Sequence, residues 1–161
     1  MSINAKYEMS KLQELLEQKK AALDSIHKLT LEQQEDIEKN QGESLESFID
    51  DKQKQIEKIE ALDESFNQTF NILKSQLGIQ SVDQINIENY PQLREVKKTI
   101  GEIMELAETI MGLEEKNKAN VAEIIDGVKR ELKTIKLGQK SLKAYDKPNI
   151  NTGGVYIDRK K

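Results

Sequence analysis

One periodic feature dominates the sequence: apolar side chains recur at alternating spacings of three and four over most of its 161 residues. This spacing lines them up on one face of an α-helix with about 3.5 to 3.6 residues per turn. The pattern stops at Asn40-Gln41-Gly42 and again at Gly78, and glycine directly after a periodic run is typical of a helix end. Pro91 suits the first turn of a further helix. The sequence therefore predicts an all-α fold.

The two stops divide the chain into three predicted helices, at about residues 4–39, 44–77 and 91–143, with a linker over 78–90. The short turn between the first two helices predicts that they run antiparallel. We expect a helical domain over residues 1–143, an antiparallel three-helix bundle or coiled coil with an extended third helix. Residues 144–161 contain Pro148 and Gly153-Gly154 and have no helical period, so we expect a flexible basic tail there.

Polar residues enter the periodic positions of the third helix at Glu114 and Asn117. A buried Asn between packed helices can fix their register at some cost in stability. The alternative interpretation is a local break of the helix around residues 117–120. The heptad phase runs from Leu93 to Leu142 without a shift, which favours the buried polar position over the break.

The third predicted helix is too long to pair with the other two over its whole length. Helices of about 33 residues span roughly 50 Å, whereas about 50 residues span roughly 75 Å. The excess carries an apolar stripe, and contiguous exposed apolar surface usually marks an interaction site. A bend at Asn117 that folds the helix back, or pairing of two copies into a homodimer, would cover the stripe instead. The candidate partner-binding residues in the stripe are Ile124, Ile125, Val128, Leu132, Ile135 and Leu142.

Charge is distributed unevenly along the chain. Residues 1–128 contain 15 basic and 26 acidic residues, a net charge of -11, whereas residues 129–161 contain 10 and 3, a net charge of +7. This split indicates either a tail with its own partner or a tail that folds back on the acidic helices. Two tyrosines in the basic region are weak support for nucleic-acid binding, and the basic stretch lacks the Trp or Phe typical of membrane-surface helices. We therefore expect neither nucleic-acid binding nor stable membrane insertion.

The composition excludes several kinds of chemistry. The chain has no Cys and a single His, His27, which excludes a disulfide framework, a cysteine nucleophile and any multi-histidine metal site. No nucleophile and base occur together in a recognisable arrangement, so we expect no catalytic residue, no cofactor and no enzyme activity. The N-terminus has no basic start followed by an apolar core, which predicts a cytoplasmic address.

The C-terminal region contains four distinctive segments: Leu137-Gly138-Gln139-Lys140, Ala144-Tyr145, Gly153-Gly154-Val155-Tyr156-Ile157-Asp158 and Arg159-Lys160-Lys161. In these segments the chain resembles a known family, the FlgN-type flagellar chaperones of Gram-positive bacteria. Upstream, Asn40-Gln41-Gly42-Glu43-Ser44-Leu45 and Ile56-Glu57-Lys58-Ile59 are similar as well. The resemblance covers nearly the whole chain, and it is more specific in the tail than in the helices.

The resemblance implies a cytosolic chaperone that binds the C-terminal helical ends of hook-associated proteins and keeps them unpolymerised until type III export. It also implies contact with components of the export apparatus. Family members contact their clients through the C-terminal helix and tail, so Tyr145, Tyr156 and Ile157 join the stripe as candidate partner-binding residues. Two alternatives remain open: a generic coiled-coil scaffold, and a chaperone for another client such as the filament cap.

Overall fold

A computed structural model describes residues 2–81 and 87–145, with side chains described over 5–81 and 88–140. Its elements are helix α1 (Ser2–Asn40), helix α2 (Leu45–Leu77), a 3-10 helix (Ile87–Asn89) and helix α3 (Pro91–Tyr145). The described residues form no strand, and the all-α prediction is confirmed. The predicted tail over 144–161 lies outside the described residues, apart from the backbone of Ala144 and Tyr145.

The turn between α1 and α2 uses the residues that the sequence singled out. Gln41 and Gly42 have positive φ angles of 57° and 79°, a conformation that helix termini commonly use. The Gly42 amide donates to the Asp36 carbonyl at 3.1 Å. The Asp36 side chain is buried, and its carboxylate accepts a hydrogen bond from the Ser44 amide at 3.1 Å. These bonds satisfy backbone groups at the end of α1 and the start of α2.

Helix α2 ends at a left-handed glycine. Gly78 has a φ of 66°, and the amides of Gly78 and Ile79 donate to the carbonyls of Ser75 and Lys74 at 3.3 and 3.0 Å. This left-handed conformation suits glycine because a residue with a Cβ atom rarely adopts it. Ile79 then packs against the core, which ties the start of the linker to the helices.

The chain divides after Asn117 into two units, Met1–Asn117 and Lys118–Lys161. In the first unit α1 and α2 run antiparallel, as two contacts between them show. The Lys19 ammonium lies 2.7 Å from the Asp63 carboxylate, and farther along α1 the Lys52 ammonium donates to Gln33 Oε1 at 2.6 Å.

The part of α3 that belongs to the first unit runs parallel to α1. Gln13 Nε2 donates to Thr99 Oγ1 at 2.9 Å, and farther along both helices Asn117 Nδ2 donates to the Thr30 carbonyl at 3.2 Å. The three helices of this unit therefore pass up, down and up, as short connections between neighbouring helices predict.

The core of the first unit consists of periodic residues from all three helices. Its buried cluster comprises Ala5, Met9, Leu12, Leu16, Leu73, Leu93, Val96 and Ile103. Phe66 and Phe70, partly buried against this cluster, stack with ring centroids 6.1 Å apart. Burial of each of the larger side chains, Met, Leu, Ile and Val, contributes roughly 1.5–3 kcal/mol, which makes this cluster the main source of stability in the unit.

Polar side chains interrupt the apolar packing near the end of the first unit. The buried Lys52 ammonium donates to Gln33 Oε1 and to the Glu114 carboxylate, so one cation joins all three helices. Asn117, also buried, reaches the Thr30 carbonyl. We call these five residues the polar layer. The prediction that Asn117 is buried between the helices is confirmed. The alternative, a break around residues 117–120, is wrong, because α3 remains α-helical there.

Candidate partner-binding surface

The helical segment of the second unit exposes apolar side chains at helical spacing. Ile125, Val128 and Ile135 are 48%, 43% and 55% exposed. Ile124 and Leu132 are half-buried. Because all five recur at intervals of three, four or seven residues, they lie along one side of the helix. We call them the exposed stripe, and an exposed stripe of this kind is the usual mark of a binding surface.

The exposed stripe contains five of the nine residues predicted from the sequence to bind a partner. Leu142 and Tyr145 are part of α3, but the structure describes only their backbone. Tyr156 and Ile157 lie outside the described residues. The binding role of all nine residues stays a prediction. The structure shows that the side chains of Ile125, Val128 and Ile135 are accessible to a partner.

Basic side chains line a second side of the same helical segment. Lys129, Lys133, Lys136 and Lys140 are all exposed and recur at helical spacing, beside the exposed stripe rather than within it. Leu137, which is 56% exposed, lies on this basic side. The segment therefore offers an apolar surface flanked by positive charge, an arrangement suited to an amphipathic helix with acidic flanks.

Two glycines in this segment leave its surface open. An added Cβ at Gly127 or Gly138 would meet no heavy atom within 4 Å. Glycine inside a helix costs about 1 kcal/mol relative to alanine, so neither residue is explained by close packing in the described structure. Their effect is to make this part of α3 easier to deform.

The first unit contains an apolar cavity that the sequence did not predict. Its volume is about 240 Å³, and it lies between all three helices, with Leu15, Leu62, Phe66, Ile100 and Met104 in its wall. Met104 is 62% exposed and forms part of the rim. The Lys19–Asp63 ion pair provides the only charged groups in the wall. Such a wall can hold an apolar side chain.

The described residues contain no group of three or more metal-binding side chains. Within the same residues, no helix is both long enough and apolar enough to cross a membrane. His27 is a half-buried residue of α1, and the neighbouring Asp24 is exposed.

A comparison with protein families decides what kind of protein this is. The family described as FlgN protein matches residues 8–150. The chain belongs to the FlgN family. No curated protein and no solved structure matches it. FlgN-family proteins are chaperones for the hook-associated proteins FlgK and FlgL during flagellar export.

Membership confirms the resemblance to the FlgN family and the implied function as an export chaperone for hook-associated proteins. Contact with the export apparatus stays a prediction. The family is not enzymatic, which agrees with the expected lack of catalytic residues. The matched span includes the exposed stripe of this FlgN-family protein. Hook-associated proteins are therefore the partners that this surface could bind.

Proposed function

We propose that this FlgN-family chaperone binds the C-terminal helical end of a hook-associated protein through the exposed stripe. The support is the measured exposure of Ile125, Val128 and Ile135 on one side of a helix. An amphipathic client helix laid along this side would bury its own apolar face and those of the stripe. A client covered in this way cannot use the same face to polymerise.

Binding of this kind is reversible, which suits a client that must later be released. The exposed stripe is short, and Gly127 leaves the helix deformable, so part of the interaction free energy is spent on ordering the segment. Tyr145, Tyr156 and Ile157 extend the proposed surface into the tail. We propose that they add contacts to the client.

The basic side of the segment has a separate proposed role. Lys129, Lys133 and Lys136 would attract an acidic client flank or an acidic component of the export apparatus, and thereby accelerate association. The proposed function has the chaperone acting in the cytoplasm, as FlgN chaperones do. The Gram-positive subtype indicated by the tail stays a prediction.

The test is a titration of the full chain against C-terminal helical peptides of hook-associated proteins. Leu132→Asp places a charge in the stripe and should weaken binding by about 30-fold or more, the effect expected at a central apolar contact. Leu137→Asp is the matched control, because it adds the same charge to an exposed leucine on the basic side. It should change affinity by less than about threefold. Equal affinity of the two variants would reject the stripe as the binding site.

Two further measurements distinguish the alternatives. A chain ending at Lys143 should bind more weakly if the tail contributes contacts, and with unchanged affinity if it does not. Light scattering on the full chain tests pairing of two copies through the same stripe. A stable dimer that fails to bind the peptides would favour a coiled-coil scaffold, and preference for a filament-cap peptide would indicate a different client.

A further inference from the structure

The heptad pattern of α3 leaves its packing position ambiguous. Periodic positions continue from Leu93 to Leu142, so an advance of α3 by seven residues would again place mostly apolar residues against α1 and α2. Packing of apolar side chains alone therefore does not decide which residues of α3 belong to the first unit. Something else must select the observed register.

The polar layer distinguishes the registers. In the observed one, Glu114 receives a hydrogen bond from the buried Lys52 ammonium, and Asn117 donates to the Thr30 carbonyl. A shift that advances α3 by seven residues would replace Glu114 with Val121 and Asn117 with Ile124. It would also carry Glu114 and Asn117 into the positions of Ala107 and Ile110, the latter being buried.

Both consequences of that shift are unfavourable. The Lys52 ammonium would stay buried with no carboxylate, and the Asn117 amide would take the buried position of Ile110, either of which is costly. The opposite shift places Ala107 beside Lys52 and removes its carboxylate as well. The observed register is the one in which the buried cation has its anion.

The polar layer is better suited to selecting a register than to maximising stability. The Oδ1 atom of Asn117 is buried without a hydrogen-bond partner among the described residues. A buried polar group that is incompletely satisfied costs stability, yet such groups are known to specify register between helices.

We propose that Lys52, Glu114 and Asn117 are positioning residues that fix the register of α3 and so keep the exposed stripe out of the first unit. The link to the client rests on the proposed function. An advance of α3 by seven residues would draw Val121 and Ile124 into the packing and remove them from the client-binding surface. The layer thus decides how much of α3 a client can reach.

Engineered disulfides can measure the register directly, because the chain has no Cys of its own. Cysteines at positions 13 and 99 report the observed register, since Gln13 and Thr99 are hydrogen-bonded across the helices. Cysteines at positions 13 and 106, or 13 and 92, report a shift of seven residues in either direction. With the natural polar layer we expect the first pair to oxidise at least about 100-fold faster than either other pair.

The decisive variant makes the layer apolar with Gln33→Leu, Lys52→Leu, Glu114→Leu and Asn117→Ile. We expect it to remain helical and to oxidise a shifted pair at a rate within about tenfold of the 13–99 pair, because no buried charge penalises the shift. Affinity for the hook-associated peptide should fall as the shifted pair increases. Oxidation of the 13–99 pair alone would overturn the proposal, and a shifted register with unchanged peptide affinity would overturn its functional part.

A charge exchange keeps the test decisive if the apolar variant fails to fold. Glu114→Lys alone places two ammonium groups together and should favour a shifted pair, whereas Lys52→Glu combined with Glu114→Lys should restore the 13–99 pair. Lack of rescue would contradict the proposal. Since the disulfides report register without any client, failure of the natural chain to bind peptides would reject the proposed function and leave the register result unaffected.

Discussion

The first unit and the helical segment after Asn117 share one sequence pattern but differ in burial. In the first unit the periodic residues Leu12 and Leu73 are 1% and 0% exposed. In the segment beyond it, Val128 and Ile135 occupy the same kind of position and are 43% and 55% exposed. The comparison teaches that a heptad pattern predicts a helix with an apolar side, and does not predict what covers that side.

The difference follows from the number of helices that meet. In residues 1–117 three helices bring their apolar sides together, so each seam is covered by the other two. The described part of the second unit is a single helical segment. A lone amphipathic helix exposes the side that it would otherwise bury, and partner binding is the usual way in which such a side is covered.

The largest expected effect is on the free energy of unfolding, and it tests whether side chains in the first unit are buried while those of the exposed stripe are not. Leu73→Ala should lower the free energy of unfolding by about 3 kcal/mol, because it leaves a cavity in a close-packed site. Leu132→Ala makes the same change in the exposed stripe and should cost less than about 1 kcal/mol. Chemical denaturation measures both, and similar losses would contradict the distinction.

The next effect concerns the charge pair at the boundary between the regions. Glu114→Ala should cost about 2 kcal/mol because it removes a hydrogen bond to a buried charged group. Glu115→Ala, the exposed neighbour, should change stability by less than about 0.5 kcal/mol. In a Lys52→Met background the cost of Glu114→Ala should disappear. Persistence of the full cost there would show that the carboxylate acts through another contact.

Glycine substitutions should have opposite signs in the two regions. Gly78→Ala forces a side chain into a left-handed conformation and should cost about 1 kcal/mol. Gly127→Ala adds a Cβ that meets no atom within 4 Å and should raise helix stability by up to about 1 kcal/mol. Circular dichroism during thermal unfolding measures both. A stabilising Gly78→Ala would contradict the role of that residue as a helix terminator.

The smallest effect is expected at an exposed ion pair near the end of α1, where Lys39 Nζ lies 2.9 Å from the Glu35 carboxylate. The hydrogen bond to Glu35, followed by its charge, raises the pKa of Lys39 above 10.5. A raised pKa in the folded state stabilises below the unfolded value, and the contribution is lost as the pH rises through the folded value.

Titration of Lys39 followed by NMR measures this effect. Glu35→Gln should lower the pKa of Lys39 more than Glu38→Gln, because Glu38 acts only through its charge. Equal decreases would contradict the hydrogen bond. Stability at neutral pH should be the same in both variants, in contrast to the loss expected when the buried Lys52 ammonium loses its carboxylate.

Much of the fold was predictable because helix formation and helix ends depend on local sequence. Asn40-Gln41-Gly42 and Gly78 identified two helix ends, and the short turn predicted the antiparallel order of α1 and α2. The seam position of Asn117 followed from the unbroken heptad phase. The sequence also identified the residues of the exposed stripe as candidates, and the structure shows three of them to be exposed. Their role in client binding stays a prediction.

Other features required the tertiary structure because they join residues far apart in sequence. Lys19 pairs with Asp63 and Lys52 with Glu114, and nothing in the sequence indicated these partners. The cavity beside Met104 was missed for the same reason, since its wall comes from three helices. A one-dimensional pattern contains no information on which side chains face each other.

The sequence by itself determined that this chain forms three helices, where the first two end, and which side of each is apolar, because the spacing of side chains and the turn residues act locally. Only the tertiary structure decided which polar residues meet in the polar layer and where the chain divides, after Asn117. The physical reason is that burial and charge pairing depend on neighbours in space. A heptad pattern does not specify these neighbours, because it is compatible with helix registers that differ by multiples of seven residues.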